Sequence, residues 1–97
     1  DDVEHCVYVA NAGAELRGEV FSLANLLRSA GIRTECDYQG RSLKSQFKQA
    51  DKVGAAYMVV IGGDELASGN VRLRDMGTGD EKLVARTELV DELLGRL

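Results

Sequence analysis

The sequence predicts an α/β domain of three layers (α/β/α), with helices on both faces of a five-stranded mixed sheet in the order 2-1-3-4-5 and the fourth strand antiparallel. Three observations carry this expectation. Short β-branched or aromatic runs alternate with segments of helical period. The run from Ala56 to Ile61 is almost wholly apolar, as a central strand covered on both sides must be. Only residues 62–69 separate that run from the next strand, whereas a parallel crossover needs about a dozen residues or more.

The elements follow in order. His5 to Ala10 is a β-branched and aromatic run closed by Asn11-Ala12-Gly13, a first strand ending in a turn. From Ala14 to Ala30 the period changes: Leu16, Val20, Leu23 and Leu27 recur at helical spacing, Gly18 is a mild cost inside, and Gly31 stands where a C-cap belongs. Ile32 to Asp37 is a second strand, Tyr38-Gln39-Gly40 a loop, and Ser42 to Val53 a second helix with Leu43, Phe47 and Ala50 on one face, ended by Gly54. Two strand-helix-strand units in succession imply parallel strands with right-handed crossovers. After the third strand, 62–69 reads as a turn into Val71-Arg72-Leu73-Arg74, then a glycine-rich hairpin over Met76 to Asp80 into Lys82-Leu83-Val84. Thr87 is placed to N-cap a last helix whose early acids, Glu88, Asp91 and Glu92, suit its dipole.

At 97 residues, 44% hydrophobic and 29% charged, the chain suits one compact domain over residues 1–97 rather than a disordered segment. Its longest apolar run, Ala55 to Ile61, is far too short to cross a bilayer, and Asp1, Asp2 and Glu4 are the opposite of a secretory signal's basic lead. A cytoplasmic location and no membrane partner are expected. Cys6 and Cys36 lie in apolar segments without metal-ligand spacing and are expected as buried free thiols. His5 has no Ser, Asp or second His beside it, so neither a catalytic nor a metal-binding role is expected of it.

No nucleophile with its base, carboxylate pair, metal cluster or phosphate loop emerges. Gly62-Gly63 and Gly77-x-Gly79 lack the spacing of a dinucleotide or phosphate-binding loop and read as turns. A phosphorylatable receiver domain is the first rival, but the strand ends Val9-Ala10-Asn11 and Ile61-Gly62-Gly63 before Asp64 do not assemble the acidic pocket that holds magnesium. A flavodoxin-like signalling domain lacks its phosphate loop. No catalytic residue, metal ligand or cofactor is therefore expected in this chain.

Charge is more informative. A net charge of −4 argues against nonspecific coating of DNA, yet residues 38–52 hold Arg41, Lys44, Lys48 and Lys52 against a single acid, Asp51. At helical spacing these four cations fall on one side of the second helix, opposite Leu43, Phe47 and Ala50. The bland reading is a solvated basic face; the functional one is a stripe that contacts phosphates, flanked by Gln46 and Gln49 at base edges. In the fourth strand Val71 and Leu73 point one way, so Arg72 and Arg74 point the other, near the acids of the preceding turn. That pattern is either a surface ion pair or an acid and an arginine that read the edges of unpaired bases.

The wording from Asp37-Tyr38-Gln39-Gly40-Arg41-Ser42-Leu43-Lys44 through Asp51-Lys52 resembles the strand-two to helix-two region of bacterial histidyl-tRNA synthetases. Ala56 to Gly62, Asp64-Glu65-Leu66, Gly69 and Val71 to Gly79 resemble the same family in order and spacing, so that the likeness runs from about Val7 to Leu94. It implies the family's C-terminal anticodon-binding domain, whose partner is the anticodon loop of the histidine tRNA. The class II catalytic domain that precedes it in the family is absent here, so the chain is expected to be a fragment. The implied parent is a homodimeric aminoacyl-tRNA synthetase, a ligase of protein biosynthesis that attaches histidine to its tRNA with ATP and Mg. A synthetase-like paralogue with a regulatory role is the alternative. In the related threonyl synthetases an acid after strand three and an arginine in strand four contact anticodon bases, and the resemblance carries these roles to Glu65 and Arg74. Arg41, Lys44 and Lys48 join them from the basic stripe, and Gly63 stands where relatives often have a polar residue.

Overall fold

The computed structural model of the chain describes residues 6–13, 16–37 and 40–96. His5, the expected start of the first helix at Ala14, and Tyr38 and Gln39 of the expected loop lie outside the described residues. Five strands, β1 (Cys6–Asn11), β2 (Arg33–Cys36), β3 (Tyr57–Ile61), β4 (Asn70–Asp75) and β5 (Glu81–Ala85), form one sheet in the order β2-β1-β3-β4-β5. β1 runs parallel to β2 and to β3; β4 is antiparallel to β3 and to β5. The expected topology is thus present.

Alternation along the strands divides the core between the two faces. Val7, Val9, Val59, Ile61, Val71 and Leu73 face one side, where α1 (Arg17–Ser29) and α4 (Leu89–Arg96) cover them with Val20, Leu23, Leu27, Leu89 and Leu93. Tyr8, Ala10, Met58 and Val60 face the other side, against Leu43, Phe47 and Ala50 of α2 (Leu43–Lys52). Burying a large aliphatic side chain contributes about 1.5–3 kcal/mol, so the α1/α4 side holds the larger share of the stability. Ser42 caps α2, its Oγ accepting from the Ser45 amide at 3.2 Å.

Three local expectations are corrected. The segment after β3 is not a plain turn: Gly63–Ala67 forms a short helix, α3, with Asp64 and Glu65 in its first turn, where the dipole favours acids. Thr87 does not cap α4, because it lies inside a 3-10 turn over Arg86–Glu88 and the helix starts at Leu89. Arg86 fixes that tighter path: its amide donates to the Gly69 carbonyl at 2.9 Å and its guanidinium to Glu19 of α1 at 2.7 Å. The glycines need different explanations too. Gly79 has a φ of +82°, which only glycine adopts freely, whereas Gly62 sits at −110° and owes nothing to turn geometry.

Cys6 and Cys36 are buried free thiols. Burial, and then the Glu35 carboxylate, push the Cys6 thiol above its usual range, so it packs as a small hydrophobe. No helix among the described residues is long and apolar enough to cross a membrane.

Candidate functional site

Arg72 and Arg74 of β4 project from the sheet face that carries α2, opposite Val71 and Leu73. Beyond α2 this face is open. Glu65 of α3 accepts from Arg72 Nη2 at 3.0 Å. Glu81, the first residue of β5, is the cross-strand neighbour of Arg74 and takes its Nη1 at 2.7 Å, while its other oxygen receives Arg72 Nη1 at 3.5 Å. The Arg74 guanidinium also lies over the Phe47 ring, 5.3 Å from the centroid. A ladder therefore runs Glu65, Arg72, Glu81, Arg74, with Phe47 of α2 beneath its last rung.

The acid and arginine singled out in the sequence share this ladder without pairing with each other: Glu65 holds Arg72, and Arg74 is held by Glu81. Half-exposed ion pairs contribute only about 0–1 kcal/mol each, so the ladder's main effect is to order two long side chains. Among the described residues Arg74 Nε and Nη2 make no hydrogen bond, and this free edge of a planar fork matches the bidentate geometry that guanine presents. Glu65 in turn owes its place to Gly62, since a Cβ at that position would collide with Glu65 Oε1. Gly62→Ala is expected to swing the Glu65 carboxylate away and leave Arg72 with Glu81 as its remaining partner, while the fold holds because the displaced atom ends a flexible side chain. Loss of the Glu65–Arg72 coupling in a double-mutant cycle, with an unfolding midpoint within about 5 °C of wild type, is the observation to seek.

On α2, Lys44, Lys48 and Lys52 are exposed and form no ion pair among the described residues. Arg41 departs from the expected stripe. It precedes the helix, its amide donates to the buried Asp37 carboxylate at 2.7 Å, and its Nη1 stands 3.7 Å from the same group. The helical stripe is therefore lysine alone, with Arg41 anchored at its N-terminal end. Gln46 is a clearer correction. Its side chain is fully buried and cannot reach a base edge.

Gln46 instead completes β1. The ladder between β1 and β2 ends at Val9↔Cys36, so Asn11 extends past its neighbour with an amide and a carbonyl facing a missing strand. Gln46 supplies both partners: its Oε1 accepts from the Asn11 amide at 3.2 Å and its Nε2 donates to the Asn11 carbonyl at 3.1 Å. Nε2 also donates to the Arg41 carbonyl at 2.9 Å, which ties the loop before α2 to the end of β1. A cleft of about 190 Å³ lies there, lined by Asn11, Ala12, Gly13, Gly40, Arg41, Ser42 and Leu43. Nearby, the buried Tyr8 hydroxyl has no hydrogen-bond partner among the described residues. Burial first, then the Asp37 charge, push its pKa up to about 12, so the phenol stays neutral.

A second cleft of about 290 Å³, on the α4 side of the hairpin, suits an anionic ligand less well. It holds Asp75, Asp80 and Glu81, and its two cations, Lys82 and Arg96, are both committed to Glu92 at 3.1 and 2.9 Å. Those two partners, Arg96 foremost, hold the Glu92 carboxyl below its usual range. Among the described residues no three His, Cys, Asp or Glu side chains gather as a metal site requires. Among the described residues the geometry thus sets a stripe of unpaired lysines on α2 beside the free edge of Arg74, with acids placed to orient the arginines.

The family model described as "Anticodon binding domain" matches residues 6–96. The chain is 40% identical over 87 residues to a histidine–tRNA ligase of Halothermothrix orenii, an overlap of 90% of this chain and 21% of that protein. It superposes on the crystal structure of histidyl-tRNA synthetase from Nostoc sp. PCC 7120 with a TM-score of 0.88 and 33% identity, over 97% of this chain and 23% of that one. The RNA binding domain of threonyl-tRNA synthetase from Cryptosporidium parvum Iowa II shares the fold, with a TM-score of 0.84 at 20% identity over 94% of this chain and 23% of that one. The chain spans about a fifth of the length of the ligases it matches.

Proposed function

The chain belongs to the anticodon binding domain family, and from that premise we propose that it reads the anticodon loop of the histidine tRNA as one domain of a histidine–tRNA ligase. The names of its relatives support the choice of tRNA, and the ligase that this reading implies joins histidine to that tRNA with ATP and Mg, as a cytoplasmic homodimer.

The observation that carries the reading is the unpaired lysine stripe set beside the free edge of Arg74. Lys48 directly follows Phe47, the ring over which Arg74 lies, so phosphate contacts on the helix and base contacts on the sheet adjoin. Lys44 and Lys48 neutralise backbone phosphates, which positions the loop without reading it. Arg74 offers its fork to a splayed base, Glu65 orders the neighbouring arginine and offers its remaining oxygen to an exocyclic amine, and Arg41 guards the cleft at the end of β1. With so few cations, affinity is modest and salt-sensitive, and simultaneous engagement by another part of the ligase supplies the rest.

The test is a low-salt NMR titration of the chain with an anticodon stem-loop of the histidine tRNA and a control loop of altered anticodon. Selective shifts at Glu65 and Arg74 with the first loop, and shifts at Lys44 and Lys48 with both, are expected. Lys44→Ala should weaken both loops by the same factor, about two- to fourfold near 0.1 M salt, and reduce the slope of log affinity against log salt by about 1. Identical shifts and affinities for the two wild-type complexes would overturn the assignment.

A further inference from the structure

We propose that Glu81 is a positioning residue for anticodon reading: it fixes the guanidinium of Arg74 and cancels the charge that would otherwise make this face bind any RNA. The inference rests on the reading of Arg74 given above and names a residue that does not itself touch the base.

Two contacts hold Arg74 in place. Glu81 lies directly across the β4–β5 ladder and binds Nη1 at 2.7 Å. Phe47 supports the plane of the guanidinium from α2. The hairpin leaves its other end open: even a Cβ added to Gly79 would stand at ordinary contact distance, 3.8 Å, from Nη2. Only Glu81 in this set is directional, because a ring face permits the guanidinium to rotate and slide whereas a carboxylate fixes one nitrogen. With Nη1 held, the Nε and Nη2 edge is turned to one side and presents a fork before any ligand arrives. An arginine ordered in advance loses less freedom on binding, so that each base contact discriminates more.

Charge is the second half of the role. Arg72 pairs with both Glu65 and Glu81, while Arg74 pairs with a single acid among the described residues, Glu81. Two arginines against two glutamates leave this part of the face neutral, and the unpaired positive charge stays on the lysines of α2. Phosphate attraction is thereby kept off the surface that must distinguish bases, where it would reward every sequence equally.

Position and charge are separable by two substitutions. Glu81→Gln removes the charge; Glu81→Asp keeps it but retracts the carboxylate by one methylene from a 2.7 Å bond. Affinities of the 97-residue chain for the histidine stem-loop and for the altered loop should be measured for wild type and both variants across a salt series. Glu81→Gln is expected to bind the altered loop about two- to threefold more tightly at low salt, with a steeper salt slope. Its preference for the histidine loop should fall roughly five- to tenfold. Glu81→Asp should lose a similar share of preference while its affinity for the altered loop and its salt slope stay near wild type. If both variants keep the wild-type preference, or Glu81→Asp alone keeps it, positioning by Glu81 is wrong and the reading by Arg74 stands. A wild-type chain that shows no preference overturns both.

Discussion

Arg74→Ala is expected to leave a folded chain that still binds the histidine stem-loop but no longer prefers it to a loop of altered anticodon. The substitution removes a side chain at the surface of the sheet and no part of either apolar cluster. Its folded-state losses are one partly exposed ion pair and one ring contact, together about 1–2 kcal/mol. The effect on recognition is larger, because a bidentate arginine discriminates against a wrong base by about 1–3 kcal/mol, or roughly 5- to 150-fold. Arg74→Lys is the sharper companion. It keeps the charge and loses the fork, so affinity should stay within a fewfold of wild type at low salt while preference disappears. Proportional weakening of both loops by Arg74→Ala would assign the residue to phosphate binding and remove the division of labour between α2 and β4.

Gln46→Leu is expected to be strongly destabilising although it removes no apolar contact. Leucine fills similar space but offers no hydrogen bonds, so the Asn11 amide and carbonyl and the Arg41 carbonyl all lose their partner. Leaving a buried polar group unsatisfied costs about 1–3 kcal/mol, and with water able to reach part of this loop the sum is about 3 kcal/mol. For a domain of this size that lowers the unfolding midpoint by roughly 12–20 °C. Because the same amide holds the loop before α2, the first turn of that helix and Arg41 should become mobile even below the midpoint. Thermal and denaturant unfolding settle the matter: a loss under about 1 kcal/mol would mean that relaxation or water replaces the clamp.

The same two residues show what a sequence can and cannot disclose about this fold. Strand order and direction were legible, since apolar runs, helical periods and the short 62–69 connection depend on local pattern. The side on which Arg72 and Arg74 emerge was legible for the same reason. Gln46 was misplaced because its chemistry suggested solvent, although it lies three residues after Leu43 and four before Ala50 and so falls on the packed face. Spacing gave the correct answer and polarity the wrong one. Glu81 was overlooked because its importance comes from pairing across a hairpin: once Met76 to Asp80 is taken as the turn, the register sets it opposite Arg74. The short helix α3 escaped notice because five residues carry no period, and Gly62 because its need for a bare Cα arises only when Glu65 folds back over it.

The ladder registers also set an order of assembly. Arg74 and Glu81 are seven positions apart in the chain, whereas Val7 and Tyr57, partners in the parallel half, are fifty apart. Closing the longer loop costs about 1.7 kcal/mol more in chain entropy. The β4–β5 hairpin is thus expected to form early, with its charged side chains in register before β1 pairs with β3. The amide of Gln46, whose partner in β1 lies 35 positions away, is expected to lock later. The Arg74–Glu81 pair is therefore expected to sit in a nearly self-contained hairpin before the rest of the scaffold closes around it.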